Sequence, residues 1–192
     1  MHISKDYIYI VVSKTHTLLG RAIQHSLGVR VNHSSITTDA SLANLYSFGR
    51  KGIYNVFNNG FVEESINEGF FKRYGKTEIY VLRLEVEEDL VYNVNQRIVA
   101  FQNYDPQMQY SILGLLYCYF GIDRKRQNKY FCSQFVAEML RASGYEGLTK
   151  PPSLMRPHDF FDLPGVECIY RGMVQYYSPE YDCFMGENVV AV

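Results

Sequence analysis

The chain contains no tryptophan, no Cys-x-x-C pair, and almost no net charge. Each gap removes a class of protein. Four cysteines, Cys118, Cys132, Cys168 and Cys183, stand at irregular spacing, which argues against a zinc ribbon or a dense disulfide scaffold. A formal net charge of -1 leaves no excess of cations to neutralise phosphates, so a general nucleic-acid binder is not expected. No apolar run reaches about 18 residues, the length a spanning helix needs. Met1–Asp6 lacks the basic region and apolar stretch of a secretory signal, and the cytoplasm is the expected compartment. The five histidines are scattered, and neither a metal nor an organic cofactor is expected.

What is present describes a folded domain. The 192 residues, 47% hydrophobic and 20% charged, suit one domain spanning 1–192 with a substantial core. Seventeen tyrosines and twelve phenylalanines make that core aromatic. Tyr7–Val12 reads as a buried strand, and Glu78–Val86 is the clearest strand of the chain. A helix is expected over Leu18–Leu27, capped by Thr15 or Thr17 and ended near Gly28; His16 and His25 belong to its surface. Val31–Thr38 and Leu45–Phe48 read as two strands of a hairpin, broken after Phe48 by Gly49-Arg50-Lys51-Gly52. Asn58-Asn59-Gly60 reads as a turn, and the Glu63 and Glu64 that follow read as solvated charge. Glu87-Glu88-Asp89 opens a helix with Leu90, Val94, Ile98 and Phe101 on one side. The stretch 110–120 is apolar nearly all round and reads first as a buried helix, second as a lipid-contacting surface. A basic run at Arg124–Lys129 reads first as a solvated turn and second as a loop favouring an anionic substrate or lipid headgroup beside Cys132. A hairpin turning at Arg171-Gly172 is expected to close the chain. The fold class is α+β.

The chemistry concentrates at Cys132. Phe135, Val136, Met139 and Leu140 fall at i, i+1, i+4 and i+5 and make one apolar helix stripe. Cys132 then lies at the helix start, where free amides and the helix dipole favour an anion. A thiol so placed has its pKa lowered from about 8.5 into a range of roughly 3.5 to 7.5. The polar Lys129, Ser133 and Gln134 around it suggest a partly open setting. A free cysteine is more often a small buried hydrophobe, so the reading needs a partner. His33 is that partner: it sits on a strand with small polar neighbours, and a thiol with an imidazole on a separate element is the usual pair for nucleophilic catalysis. A hairpin over Asp39–Asn44 would set Ser47 beside His33 as a cross-strand neighbour.

Taken together, Asn32-His33-Ser34-Ser35-Ile36, Tyr46-Ser47-Phe48-Gly49-Arg50 and Tyr130-Phe131-Cys132-Ser133 resemble the circularly permuted NlpC/p60 papain-like proteins. The likeness includes the YaeF/YiiX amidase-like group and, more distantly, the lecithin:retinol acyltransferase type. The histidine precedes the cysteine, as in the permuted branch, and Pro157-His158-Asp159-Phe160 before a terminal strand is similar to that group. The resemblance implies a papain-like fold, with the cysteine helix packed on an antiparallel sheet or partial barrel. It implies Cys132 as nucleophile, His33 as base and an orienting third residue, which counting across the hairpin puts at Ser47, with Asp39 and Glu64 as alternatives. It also makes Tyr130 and Ser133 substrate-binding residues, and Phe131 replaces the aspartate of the unpermuted motif.

Three readings of function follow from these residues. In the first, a cysteine hydrolase cleaves an amide or ester bond through a Cys132 thioester, with the Cys132 amide as oxyanion donor. In the second, the same dyad serves a lipid acyltransferase or lipid hydrolase with peripheral lipid contact. In the third, the fold is a non-catalytic ligand-binding module. The expected partner is an amide- or ester-bearing peptide or lipid.

Overall fold

A computed structural model describes residues 5–14, 31–51, 59–104 and 108–180. Within them lie β1 (Lys5–Ser13), β2 (His33–Thr37), β3 (Leu45–Arg50), β4 (Asn59–Glu64), α1 (Gly69–Arg73), β5 (Glu78–Glu87) and α2 (Glu88–Tyr104). The chain continues through β6 (Gln109–Tyr110), α3 (Ile112–Tyr119), β7 (Lys129–Tyr130), α4 (Cys132–Ala142) and β8 (Val166–Met173). Six strands form one sheet in the order β4-β3-β2-β1-β5-β8, and every pairing in it is antiparallel. The two-residue strands β6 and β7 pair in parallel beside it. The architecture is therefore α+β. Among the described residues no helix is long and apolar enough to cross a membrane.

β1 is a continuous apolar run because both faces of the sheet are covered. Ile8, Ile10 and Val12 belong to one buried cluster with Phe135, Val136 and Leu140 of α4 and Val94 and Ile98 of α2. Tyr9 and Val11 point to a second cluster with Leu45, Phe71, Val81 and Val174. The face under α4 is organised by rings. Phe135 lies 5.3 Å from Phe48 of β3, 5.7 Å from Phe61 of β4 and 5.1 Å from Phe101 of α2. Phe48 in turn lies 5.2 Å from Tyr130 of β7. Five elements meet in this cluster, and it seats α4 over β2 and β3.

Several local expectations give way to tertiary pairing. β3 does not break after Phe48: Gly49 and Arg50 stay in the ladder opposite Gly60 and Asn59. Those two residues are accordingly the first of β4, not a turn. Gly60 is needed there because a Cβ would lie 2.6 Å from the carbonyl oxygen of Met108, so the chain leading to β6 crosses directly over the strand. The expected terminal hairpin is one strand: Arg171 and Gly172 pair with Tyr80 and Ile79 inside β8, and a 3-10 turn at Val174–Tyr176 follows. The apolar stretch 110–120 is not a buried helix. Gly114 and Cys118 are the buried residues of α3, while Ile112, Leu113 and Leu116 face solvent. Apolar residues all round a helix cannot say which side packs. The helix expected over Leu18–Leu27, with His16 and His25, lies outside the described residues.

The ring cluster makes a stability prediction. Phe135→Ala should cost about 3–5 kcal/mol in urea unfolding, as for a fully buried aromatic, whereas Phe120→Ala, at a 70% exposed position, should stay within about 0.5 kcal/mol. Equal losses at the two sites would contradict the seating of α4 described above.

Candidate active site

Cys132 is the first residue of α4, and the helical ladder begins with the Phe135 amide donating to the Phe131 carbonyl at 2.9 Å. Phe131 is extended (φ −107°, ψ 166°) and completely buried, so the chain rises into the helix from inside the core. The cysteine is consequently not in the partly open setting its polar neighbours suggest: it is 4% exposed. Burial pushes a thiol's pKa up, because the thiolate loses its hydration. Here a hydrogen bond with His33, the charge of that ring, and the backbone amides of Ser34 and Ser133 donating to the sulfur outweigh burial and bring the thiol below its ordinary value.

His33 opens β2, opposite Ser13 of β1. Its ring is 13% exposed and its Nε2 lies 2.9 Å from Oε2 of Glu64. With Nε2 on the carboxylate, Nδ1 is the nitrogen left for the thiol. Burial by itself lowers an imidazole's pKa. The negative charge of Glu64 and the hydrogen bond with Cys132 overcome it, and the ring is held well above its ordinary value. Glu64 sits at the far end of β4 and is 19% exposed. Burial tends to raise its pKa, but the His33 charge and hydrogen bond, with the Ser35 hydroxyl donating at 2.8 Å, bring it below the usual carboxylate range. Each of the three groups thus shifts toward its charged form because of its neighbour, with His33 between Cys132 and Glu64 as the partner of both.

Of the three residues considered for the third position, Glu64 is the one in contact with the His33 ring. Ile36 pairs with Tyr46 across β2 and β3, a register that leaves Gly49, not Ser47, against the histidine: a Cβ on Gly49 would lie 3.7 Å from His33 Cε1. A connection over Asp39–Asn44 already pairs Thr38 with Leu45 and sets Ser47 opposite Ile36, so Ser47 does not reach His33 in that hairpin; the observed register sets it opposite Ser35. Ser47 is fully buried and donates to the Ser34 carbonyl at 2.6 Å. Asp39 caps its own turn, accepting from the Ser41 amide at 2.8 Å and the Ser41 hydroxyl at 2.6 Å. Glu64, read from sequence first as surface charge and second as an alternative to Ser47, is the residue on the ring.

The two proposed substrate contacts are also placed differently. Ser133 Oγ is buried and donates to the Met155 carbonyl at 2.8 Å, so its contribution at the sulfur is its amide. The Tyr130 ring packs on Phe48 and Phe101. A residue not singled out from sequence, Tyr110, lies near enough to feel the charge of Cys132. β6 pairs Tyr110 with Tyr130, two residues before the cysteine, and burial together with the charge of Cys132 holds its phenol well above its ordinary pKa. Its signal in the sequence was hidden, because Tyr110 begins an apolar run that reads as packing. Among the described residues no group of three His, Cys, Asp or Glu side chains is arranged to hold a metal ion. Comparison with known proteins found no similarity: no family model, curated protein or solved structure matches the chain.

The pKa directions fix a pH profile. Thiolate is present above the depressed pKa of the pair and lost as pH falls through it, so alkylation by iodoacetamide should remain fast well below pH ~8.5. In His33→Ala only the Ser34 and Ser133 amides still oppose the burial of the thiol, and the midpoint should rise toward or above ~8.5. An unchanged midpoint would remove the ion pair.

Ser47 and Glu64 separate cleanly by substitution. Ser47→Ala should cost about 1 kcal/mol of stability with the alkylation midpoint unmoved. Glu64→Gln should raise that midpoint, because the imidazolium loses its facing charge. The opposite pattern would restore Ser47 to the ring.

Proposed function

We propose that this chain is a cysteine hydrolase of the permuted NlpC/p60 papain-like type, cleaving an amide or ester bond through a thioester on Cys132. The observation that carries the reading is the buried arrangement in which a helix-start thiol bonds an imidazole whose Nε2 is held at 2.9 Å by Glu64. The order of the parts along the chain, a histidine strand before the cysteine helix with that helix lying over the strand, supports the permuted type.

The chemistry follows from the charges. The Cys132 thiolate attacks the acyl carbon, forming a C–S bond and an oxyanion. The Cys132 amide at the helix start and the neutral Tyr110 phenol are the donors for that oxygen; a phenol held well above its ordinary pKa keeps its proton to give. His33, protonated in the resting pair, passes its proton to the leaving amine or alcohol as the C–N or C–O bond breaks. Water then loses a proton to the neutral ring and attacks the thioester; the C–S bond breaks and thiolate returns. Throughout, Glu64 holds the ring in orientation and supports its charge, and Ser35 holds Glu64. A second reading keeps the thioester but passes the acyl group to a lipid acceptor, and the exposed apolar side of α3 favours it.

The test is intact-mass analysis after reaction with a panel of p-nitrophenyl acyl esters and peptide anilides. An acyl adduct on Cys132, with a release burst that Cys132→Ala abolishes, is the expected result. Glu64→Gln should slow turnover by tenfold or more, up to the ~10⁴-fold that follows neutralising the carboxylate of a serine triad. Turnover that survives in Cys132→Ala would sink the proposal.

A further inference from the structure

α3 turns its apolar residues outward. Ile112, Leu113, Leu116 and Phe120 fall at i, i+1, i+4 and i+8, and are 54%, 40%, 48% and 70% exposed. Ile122, just beyond, is 48% exposed. The side turned to the protein is small, Gly114 and Cys118. A surface helix in water ordinarily has the reverse arrangement. Single exposed apolar side chains need no explanation, but a continuous stripe of five marks an interaction surface.

The rim of the stripe identifies what it meets. From Pro106 to Ile122 the sequence has no charged residue, and four cations follow at Arg124, Lys125, Arg126 and Lys129. Arg124 lies over the Tyr117 ring at 5.4 Å, and Lys125, 64% exposed, reaches Glu138. The one acid in the turn, Asp123, accepts from the Ser153 hydroxyl. An apolar face edged by cations matches the acyl region and anionic headgroups of a membrane surface. A second copy is a poor occupant, because a twofold contact would bring two basic rims together. The helix is also firmly mounted. Ser111 caps it by accepting from the Gly114 amide at 3.0 Å, and the Ser111 amide donates to the Tyr130 carbonyl at 2.8 Å.

We infer that α3 and the 124–129 turn form a docking face for an anionic phospholipid surface, with Ile112, Leu116 and Phe120 entering the interface and Arg124 and Lys125 meeting headgroups. This inference does not depend on the thiol chemistry, and Cys132→Ala should dock as the wild type does.

Flotation of the full chain with phosphatidylcholine vesicles, with and without phosphatidylserine, tests it. Binding to the anionic vesicles, weakened by salt, is the expected result. Arg124→Gln with Lys125→Gln should lower partitioning by about tenfold to thirtyfold. Leu116→Glu with Phe120→Glu should abolish it while leaving the circular dichroism spectrum and the Cys132 alkylation profile unchanged. Should that pair fail to fold, Phe120→Ser alone, at the most exposed position of the stripe, should still reduce partitioning. Failure of the folded wild type to float, equal binding to neutral and anionic vesicles, or full binding by the folded Phe120→Ser variant would each overturn the inference. So would a lipid-free dimer that Phe120→Ser dissociates, in a protein that ignores vesicles.

Discussion

The site depends on the 2.9 Å contact between His33 Nε2 and Glu64 Oε2. A thiolate and an imidazolium are both costly to bury, since each gives up its hydration. Burial alone would leave His33 neutral and Cys132 protonated, an inert pair. The carboxylate reverses the first tendency by facing the ring, and the charged ring reverses the second by facing the sulfur. Glu64 is stabilised in return by the same ring and by the Ser35 hydroxyl. Each charge is tolerated because of its neighbour, so a change at any one of the three groups shifts the titration of the group beside it.

Holding three such groups together requires two separate pieces of architecture. The first is the register of β4 on β3, which pairs Leu45 with Glu64 and so sets the carboxylate at one end of the strand. Gly49 between the histidine and β4 adds no side chain to obstruct the ring. The second is the ring cluster around Phe135, which fixes the height and tilt of α4 and with it the place of the sulfur. Aromatic contacts suit this task, because their shape penalises small displacements as well as exposure. The serine hydroxyls nearby serve the scaffold: Ser47 ties β3 to the β2 backbone and Ser133 ties α4 to Met155.

The mounting of α3 connects the outward apolar stripe to this site. The helix starts two residues after Tyr110, whose phenol feels the charge of Cys132, and the Ser111 amide between them is bonded to the strand that leads into Cys132. A surface held by α3 would therefore lie a fixed distance from the sulfur, without a flexible tether between them.

Much of this was legible from the chain itself. β1, β5 and α4 were readable because their apolar spacing is local and strong, and Cys132 and His33 stood out as a thiol at a helix start and an imidazole on a strand among small polar residues. What only the tertiary structure decided was which groups meet. Glu64 follows an Asn-Gly pair that reads as a turn and sits beside an exposed Glu63, yet 31 residues of separation from His33 close to a hydrogen bond once β4 joins β3. Ser47 lies opposite Ser35, two places from His33, and the strand pairing that decides this joins residues apart in the chain. α3 is apolar on both sides, and no periodicity tells which side a helix will bury. Local propensity and spacing are written in neighbouring residues; strand register and the choice of packed face come from contacts among residues distant in the chain, and those contacts determined the site.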